Sequence, residues 1–309
     1  MRFIFILLSL TMFSALASEK PIVLPLNDWP SQRLLSKIVG SKIEALGYQV
    51  DYLSISSVDQ LGALRKGIVH LQVEMWQSFD DGLFMQAVAK GHIEDLGLHT
   101  AFGREDWWYP DYVAEQCPGL PDWRALNRCA TLFSADGQSG KGVFYTGPWN
   151  YRDGELIRAL ALNFSIIRLE NAEQIWQKLR TAIRKKQAIV LLNWTPNWVD
   201  VRINGHFVNF PAFEVPCGKD PLWGINKKMT HDCGNPSVTY IKKAAWPGVK
   251  TQWPCIYQLL KRVDFTTEMI AEASALYGLE QRTEQKATKM WLEKYAQQSK
   301  DWLAFECPR

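Results

Sequence analysis

The first part of the chain alternates between apolar runs and helical stretches. Residues 22–26 form an apolar run that stops at Asn27-Asp28-Trp29-Pro30-Ser31, and apolar residues then recur at helical spacing as far as Gly47. Residues 48–55 alternate as a strand, and residues 68–75 form a further strand that ends at Trp76. This order predicts a parallel sheet covered by helices, with ligands bound beyond the carboxyl ends of the strands.

A second α/β block follows an irregular region at residues 110–140 that contains Pro, Gly and two Cys. Strand, helix and strand patterns restart at residues 142–145, 155–162 and 165–168, and the amphipathic helix Ala172–Lys185 leads into the strand before Trp194.

Another irregular region lies near residues 210–220, and the remaining chain is mostly helical, most clearly at residues 265–277 and 284–298. Two irregular zones around a middle block predict two α/β lobes. We expect residues 18–112 and 214–309 to form lobe 1 and residues 113–213 to form lobe 2.

Tryptophan is the most informative residue type, with 14 Trp in 309 residues. Trp29, Trp76 and Trp194 each follow a predicted strand, where an indole face can be presented at the mouth of a cleft and attract a weakly hydrated cation. The alternative for any one Trp is a place in the core. The remaining candidates at strand ends or turns are Trp108, Tyr109 and Trp149.

Two carboxylates precede these Trp residues. Asp28 lies one residue before Trp29 and Glu74 two residues before Trp76, so both could add a negative field to a cation site. Asp28 is equally well interpreted as a helix cap or turn residue.

The N-terminus and the cysteines indicate export. Arg2, an apolar stretch and Ala15-Leu16-Ala17 match a secretory signal at residues 1–17, which is too short to span a bilayer. The net charge of +3 favours neither a nucleic acid nor a membrane surface as partner, and no membrane span is expected.

Six Cys in an exported chain predict disulfides, although six cysteines permit 15 full pairings. Cys117 with Cys129 is the best local candidate because the two bracket a compact loop. Cys217 with Cys233 is the second, which would leave Cys255 to meet Cys307.

No motif supports an enzyme or a metal site. The chain has no GxSxG sequence, no CxxC pair and only five scattered His residues. We therefore expect no catalytic residues, no cofactor and no metal.

The combination of motifs resembles the substrate-binding proteins of ABC importers for glycine betaine, choline and related quaternary amines. The matching segments cover nearly the whole mature chain and are Asn27-Asp28-Trp29, residues 45–50, Glu74-Met75-Trp76, residues 108–112, Gly147-Pro148-Trp149, residues 194–198 and residues 265–269.

This resemblance implies a type II periplasmic-binding-protein fold, whose two α/β lobes close on a quaternary-amine ligand held in a Trp cage. It also implies a periplasmic protein whose partners are an ABC permease and its ATPase. An exported hydrolase of quaternary-ammonium esters and a ligand-sensing lobe are the alternatives.

The chain departs from the family pattern at Asp106-Trp107 and at Asn150. These positions help to hold the anionic end of the ligand, so the resemblance does not identify the ligand. Arg33 and the backbone N–H groups near Ser31 and Asn150 are weaker candidates for binding a carboxylate, and Arg33 is equally well interpreted as a solvated helix residue.

Overall fold

The computed structural model describes residues 20–77, 82–135, 140–149 and 151–307. The predicted signal segment at residues 1–17 and Asn150 lie outside the described residues.

The described chain is a mixed α/β structure in which the predicted alternation of strands and helices is confirmed. Its ten strands are β1 (Ile22–Leu26), β2 (Val50–Ser54), β3 (Leu71–Gln77), β4 (Glu94–Pro110), β5 (Pro118–Pro121), β6 (Gly142–Thr146), β7 (Phe164–Arg168), β8 (Val190–Thr195), β9 (Gly205–Phe207) and β10 (Thr239–Ala245).

The described helices cover the strands. They are α1 (Pro30–Ala45), α2 (Gln60–Arg65), α3 (Gly82–Ala89), α4 (Tyr112–Gln116), α5 (Arg124–Arg128), α6 (Asp153–Ala159), α7 (Ala172–Lys185), α8 (Trp198–Arg202), α9 (Val249–Gln252), α10 (Pro254–Arg262), α11 (Thr267–Ser274), α12 (Glu284–Lys294) and α13 (Ala296–Asp301). Short 3-10 turns occupy Ala130–Phe133 and Val215–Gly218, and a π-helical turn, Ala275–Leu279, continues α11.

The two lobes have the same strand arrangement. In lobe 1 the parallel pair β1 and β2 lies beside β3, where the His70 N–H donates to the Val23 carbonyl, and β3 pairs with β10, which pairs with β4. In lobe 2 the order is β7, β6, β8, β4 and β9. In each lobe the strand next to the edge comes from a chain segment that has just crossed from the other lobe. This strand is β10 in lobe 1 and β4 in lobe 2.

Strand β4 joins the lobes because it changes partner along its length. Its first part, to Gly103, pairs with β10, and from Arg104 onward it pairs with β8 and then β9. The change of sheet thus falls earlier than the predicted boundary after residue 112. The change falls at the polar run Gly103-Arg104-Glu105-Asp106 inside β4, where the backbone continues as a strand.

The return to lobe 1 falls later than the predicted boundary at residue 214. The side chain of Asn226 donates to the Ala159 carbonyl at 2.8 Å, and the Gly234 N–H donates to the Pro211 carbonyl at 2.9 Å. These contacts place the segment before β10 against lobe 2.

Three disulfides close the loops, and all three pairings considered from the sequence are present. Cys117 bonds Cys129, Cys217 bonds Cys233, and Cys255 bonds Cys307. The second of these closes the long irregular segment between β9 and β10, called here the 217–233 loop.

The cores explain why the helices form where they do. Pro30 begins α1, whose apolar face, including Leu34, Ile38 and Ile43, is completely buried in the lobe 1 core. Lobe 2 has its own core around Trp107 and Phe144. Among the described residues, no helix is both long enough and apolar enough to cross a membrane.

Candidate binding site

A cavity of about 710 Å³ lies between the two lobes. Lobe 1 contributes the indoles of Trp29 and Trp76, and lobe 2 contributes those of Trp149 and Trp194. All four belong to one apolar cluster that spans the cleft. We call these four residues the Trp cage.

The local sequence places each cage residue at the end of an element. Trp29 is the N-cap residue of α1, immediately after the turn that ends β1. Trp76 and Trp194 are the penultimate residues of β3 and β8, so they lie inside their strands rather than after them as predicted. All three point into the cleft from strand ends, which is where ligands bind in such sheets.

Two glycines make room for the cage. A Cβ atom at Gly103 would lie 2.4 Å from the Trp76 ring and 2.4 Å from the Thr195 carbonyl oxygen. A Cβ atom at Gly147 would lie 2.3 Å from the Trp149 ring. Both positions therefore require glycine, a signal that the sequence alone did not identify as part of a site.

Lobe 2 holds its cage residues by ring packing. The Trp149 and Trp194 rings meet edge to face with centroids 5.1 Å apart, and Trp176 packs behind Trp194 at 5.0 Å. The indole N–H of Trp149 is buried without a hydrogen-bond partner among the described residues.

Lobe 1 holds its cage residues by hydrogen bonds. The Glu74 Oε1 atom accepts the indole N–H of Trp29 at 2.7 Å and that of Trp76 at 2.8 Å. Glu74 is fully buried, and this burial raises the pKa of its carboxyl group to about 7.

Acidic groups and the exposed Arg152 line the lobe 2 side of the cavity. Glu105 and Asp153 line it together with Tyr151, whose hydroxyl donates to Glu105. Burial raises the pKa of Asp153 to about 6, and its Oδ2 atom has no partner among the described residues. Neither Glu105 nor Asp153 was singled out from the sequence, because Glu105 lies inside the long strand β4 and Asp153 begins α6, where an acidic residue is common for helix reasons alone.

The 217–233 loop forms one rim of the cavity. Its disulfide residues Cys217 and Cys233 both line the cavity, as do Lys219 and His231. Ser57 and Val58 line the opposite rim in lobe 1.

Trp108 and Tyr109 are predicted site residues that the structure places in the interior. Trp108 packs over Gly205 of β9, where a Cβ atom would lie 2.0 Å from its ring, and only 3% of Trp108 is exposed. Tyr109 is fully buried in the lobe 2 core. The two side chains point to opposite faces of β4, so Trp108 packs in the apolar cluster that contains Trp29 and Trp194 while Tyr109 packs in the lobe 2 core, and neither lines the cavity.

Asp28 and Arg33, also considered from the sequence, have partners in lobe 1. The Asp28 Oδ2 atom accepts the Ser57 N–H at 3.1 Å, a contact with a distant segment rather than a local turn, and the N-cap residue of α1 is Trp29. Arg33 Nη2 lies 3.0 Å from Glu284 Oε1, so this guanidinium forms an ion pair with the first residue of α12. Ser31 donates its hydroxyl to Glu74 at 2.9 Å.

Asp106 and Trp107, where the chain departs from the family pattern, make structural contacts within lobe 2. Trp107 is fully buried and stacks on Phe144 at 3.9 Å, while its indole N–H donates to Asp153 Oδ1 at 2.8 Å. The Asp106 Oδ2 atom accepts the Asn235 N–H at 3.3 Å and so ties β4 to the segment after the 217–233 loop.

A two-lobed α/β protein with an aromatic cage in its cleft is a substrate-binding protein of the type II fold. The family described as the substrate-binding domain of the ABC-type glycine betaine transport system matches residues 20–294, and the chain belongs to this family. Its members bind substrates and are not enzymes.

Individual relatives agree with this assignment. A trimethylamine N-oxide-binding protein of Pelagibacter ubique (strain HTCC1062) is 34% identical over 289 residues, which cover 90% of this chain and 89% of that protein.

Two solved structures share the fold. An ABC-transporter choline-binding protein in complex with choline superposes with a TM-score of 0.71 at 17% identity, covering 91% of each chain. Lactococcal OpuAC with glycine betaine gives a TM-score of 0.68 at 16% identity, covering 92% of this chain and 99% of that one.

Proposed function

We propose that the protein captures a small trimethylammonium-type solute in the Trp cage and delivers it to the permease and ATPase of an ABC importer. The observation that carries this proposal is the meeting of Trp29 and Trp76 with Trp149 and Trp194 in one cavity. A trimethylammonium group has no N–H donor, so aromatic faces are the groups that can hold it in a desolvated site.

The acidic wall favours some solutes over others. Asp153, with a pKa of about 6, and Glu105 line the polar side of the cavity. An ionised ligand carboxylate, as in glycine betaine, would be repelled by these two groups. Arg152 and Lys219 also line the cavity and would attract it, but both are exposed and their charges are more strongly screened. A choline hydroxyl can donate to a carboxylate, and an N-oxide oxygen can accept from a protonated one. We therefore place trimethylamine N-oxide and choline before glycine betaine.

Export to the periplasm completes the proposal. The predicted signal at residues 1–17 would direct the chain out of the cytoplasm, and the three disulfides suit an oxidising compartment.

Isothermal titration calorimetry on the chain from Ser18 tests the ligand class. We expect saturable binding of trimethylamine N-oxide or choline, weaker binding of glycine betaine, and much weaker binding of tert-butanol, the uncharged compound of similar shape. Absence of binding by all three amines would overturn the class, whereas tightest binding of glycine betaine would overturn only the ligand order.

A further inference from the structure

One buried carboxylate oxygen connects the two cage residues of lobe 1. The Glu74 Oε1 atom accepts three hydrogen bonds, from Trp29 Nε1 at 2.7 Å, Trp76 Nε1 at 2.8 Å and Ser31 Oγ at 2.9 Å. Trp29 stands at the start of α1 and Trp76 stands in β3, so this single atom fixes two rings that come from different elements.

A network of amide side chains fixes the strand that carries Glu74. The Glu74 N–H donates to Gln72 Oε1 at 3.1 Å, and Gln32 Nε2 donates to the same oxygen at 3.1 Å. Gln72 Nε2 in turn donates to Asn27 Oδ1 at 2.8 Å and to Gln60 Oε1 at 2.6 Å. Glu74 therefore sits on a rigid polar base that joins β3, α1 and α2.

A carboxylate bonded to an indole N–H changes how the ring binds a cation. The negative charge pushes electron density toward the ring, which strengthens the negative face that attracts an ammonium group. The charge also acts directly on the bound cation, and it does so with little screening because Glu74 is fully buried.

We propose that Glu74 is the positioning and specificity residue of the Trp cage: it orients Trp29 and Trp76 through their indole N–H groups, and its charge selects a quaternary ammonium over a neutral molecule of the same shape. This inference rests on the proposed function and assigns Glu74 a role behind the rings, without contact with the ligand.

The first test needs no ligand and uses the indole N–H signals in ¹⁵N-correlated NMR, assigned with Trp29→Phe and Trp76→Phe. Glu74→Gln keeps an oxygen acceptor without the charge, and Glu74→Ala removes both. We expect both indole signals to move upfield in Glu74→Gln and further in Glu74→Ala. Signals of Trp29 and Trp76 that stay in place in both variants would overturn the positioning role.

The control for this experiment is Asp200→Asn. Asp200 is also a carboxyl whose pKa burial raises to about 7, but it accepts the Asn197 N–H at the start of α8. The Trp29 and Trp76 signals should not respond to this substitution, which would exclude a general effect of losing a buried acid.

The second test compares choline with 3,3-dimethyl-1-butanol, its neutral isostere, by calorimetry at pH 8, where a carboxyl group with a pKa of about 7 is mostly ionised. The wild type should prefer choline, and Glu74→Gln should lose roughly tenfold of that preference while its affinity for the alcohol stays constant. An unchanged preference in a folded Glu74→Gln protein would overturn the charge role.

Failure of the proposed function and failure of the role of Glu74 give different experimental results. If the wild type binds no amine, the proposed function fails, but the NMR test of Glu74 still stands by its own result. If the wild type binds choline and Glu74→Gln is indistinguishable from it in both tests, only the inference on Glu74 fails.

Discussion

The indole N–H of Trp76 donates at 2.8 Å to Glu74, only two residues earlier on the same strand. Side chains at positions i and i+2 share one face of a strand, so β3 itself brings the carboxyl group and the ring together. Because the same Oε1 atom binds Trp29, this face of β3 organises half of the Trp cage.

Loss of a cage ring should weaken ligand binding as well as the fold. Trp194→Leu removes an aromatic face that contributes roughly 2 kcal/mol to a desolvated cation, so the Kd for choline should rise more than tenfold. Trp194 is 5% exposed and packs on Trp149 and Trp176, so the free energy of unfolding should also fall by roughly 2–5 kcal/mol.

Trp302→Leu is the matched control for this substitution. Trp302 is 4% exposed in the lobe 1 core, where it packs on Phe265 and Trp291. In chemical denaturation the Trp302→Leu variant should show a similar decrease in the free energy of unfolding, while its affinity for choline should not change. Equal affinities of Trp194→Leu and wild type would remove Trp194 from the cage.

The unliganded protein should be less stable at neutral pH than at mildly acidic pH. Burial raises the pKa of Glu74, Asp106 and Asp200 to about 7 and that of Asp153 to about 6. Between their ordinary values and these raised values these four carboxyl groups bind more protons in the folded state than in the unfolded chain. This outweighs the opposite contribution of His70 and His99, whose pKa burial lowers, so raising the pH through this window favours unfolding. Thermal denaturation from pH 4.5 to 8 should show a falling Tm, and a rising Tm would contradict it.

Choline binding should show the opposite pH trend. Choline is permanently charged, so only the protein titrates, and an ionised Glu74 or Asp153 attracts it more strongly than a protonated one. Burial raises the pKa of Glu74, and the negative charge of Glu105 raises it further. The Kd should decrease as the pH rises from about 5 to about 8, and Glu74→Gln should flatten this dependence. An affinity that falls with rising pH would argue against carboxylates near the cation.

The 217–233 disulfide should matter for binding as well as for stability. Cys217→Ser with Cys233→Ser should lower the free energy of unfolding by about 2–4 kcal/mol and also weaken choline binding, because residues of this loop line the cavity. The matched control is Cys117→Ser with Cys129→Ser, which removes the disulfide that closes a loop in the lobe 2 core. It should cost similar stability in urea titration while leaving the Kd unchanged, and equal loss of affinity in both pairs would contradict the rim role.

Ligand binding should hold the lobes together, because the cage is complete only when rings from both lobes meet. Small-angle scattering should show a more compact particle with saturating choline. Hydrogen exchange should slow most where the chain changes lobe, near Gly103 in β4 and near Thr239 in β10. Tight binding without either change would indicate a preformed site within one lobe.

Local patterns in the sequence determined the elements, and the ends of the predicted strands selected three of the four rings of the candidate site. The strand at Ile22–Leu26 and the helix at Ala172–Lys185 have the predicted bounds, because apolar periodicity depends only on near neighbours. Trp29, Trp76 and Trp194 could be selected for the same reason, since each stands at the end of a strand whose apolar run is visible in the sequence.

Only the tertiary structure decided which side chains meet. Periodicity does not reveal that β4 leaves one sheet for the other, and this change sends Trp108 and Tyr109 into the interior while it brings Glu105 to the cavity. Likewise, the sequence placed Glu74 next to Trp76, but its bond to Trp29 exists only because α1 packs against β3. Contacts between distant segments depend on packing in three dimensions, which spacing along the chain does not encode locally.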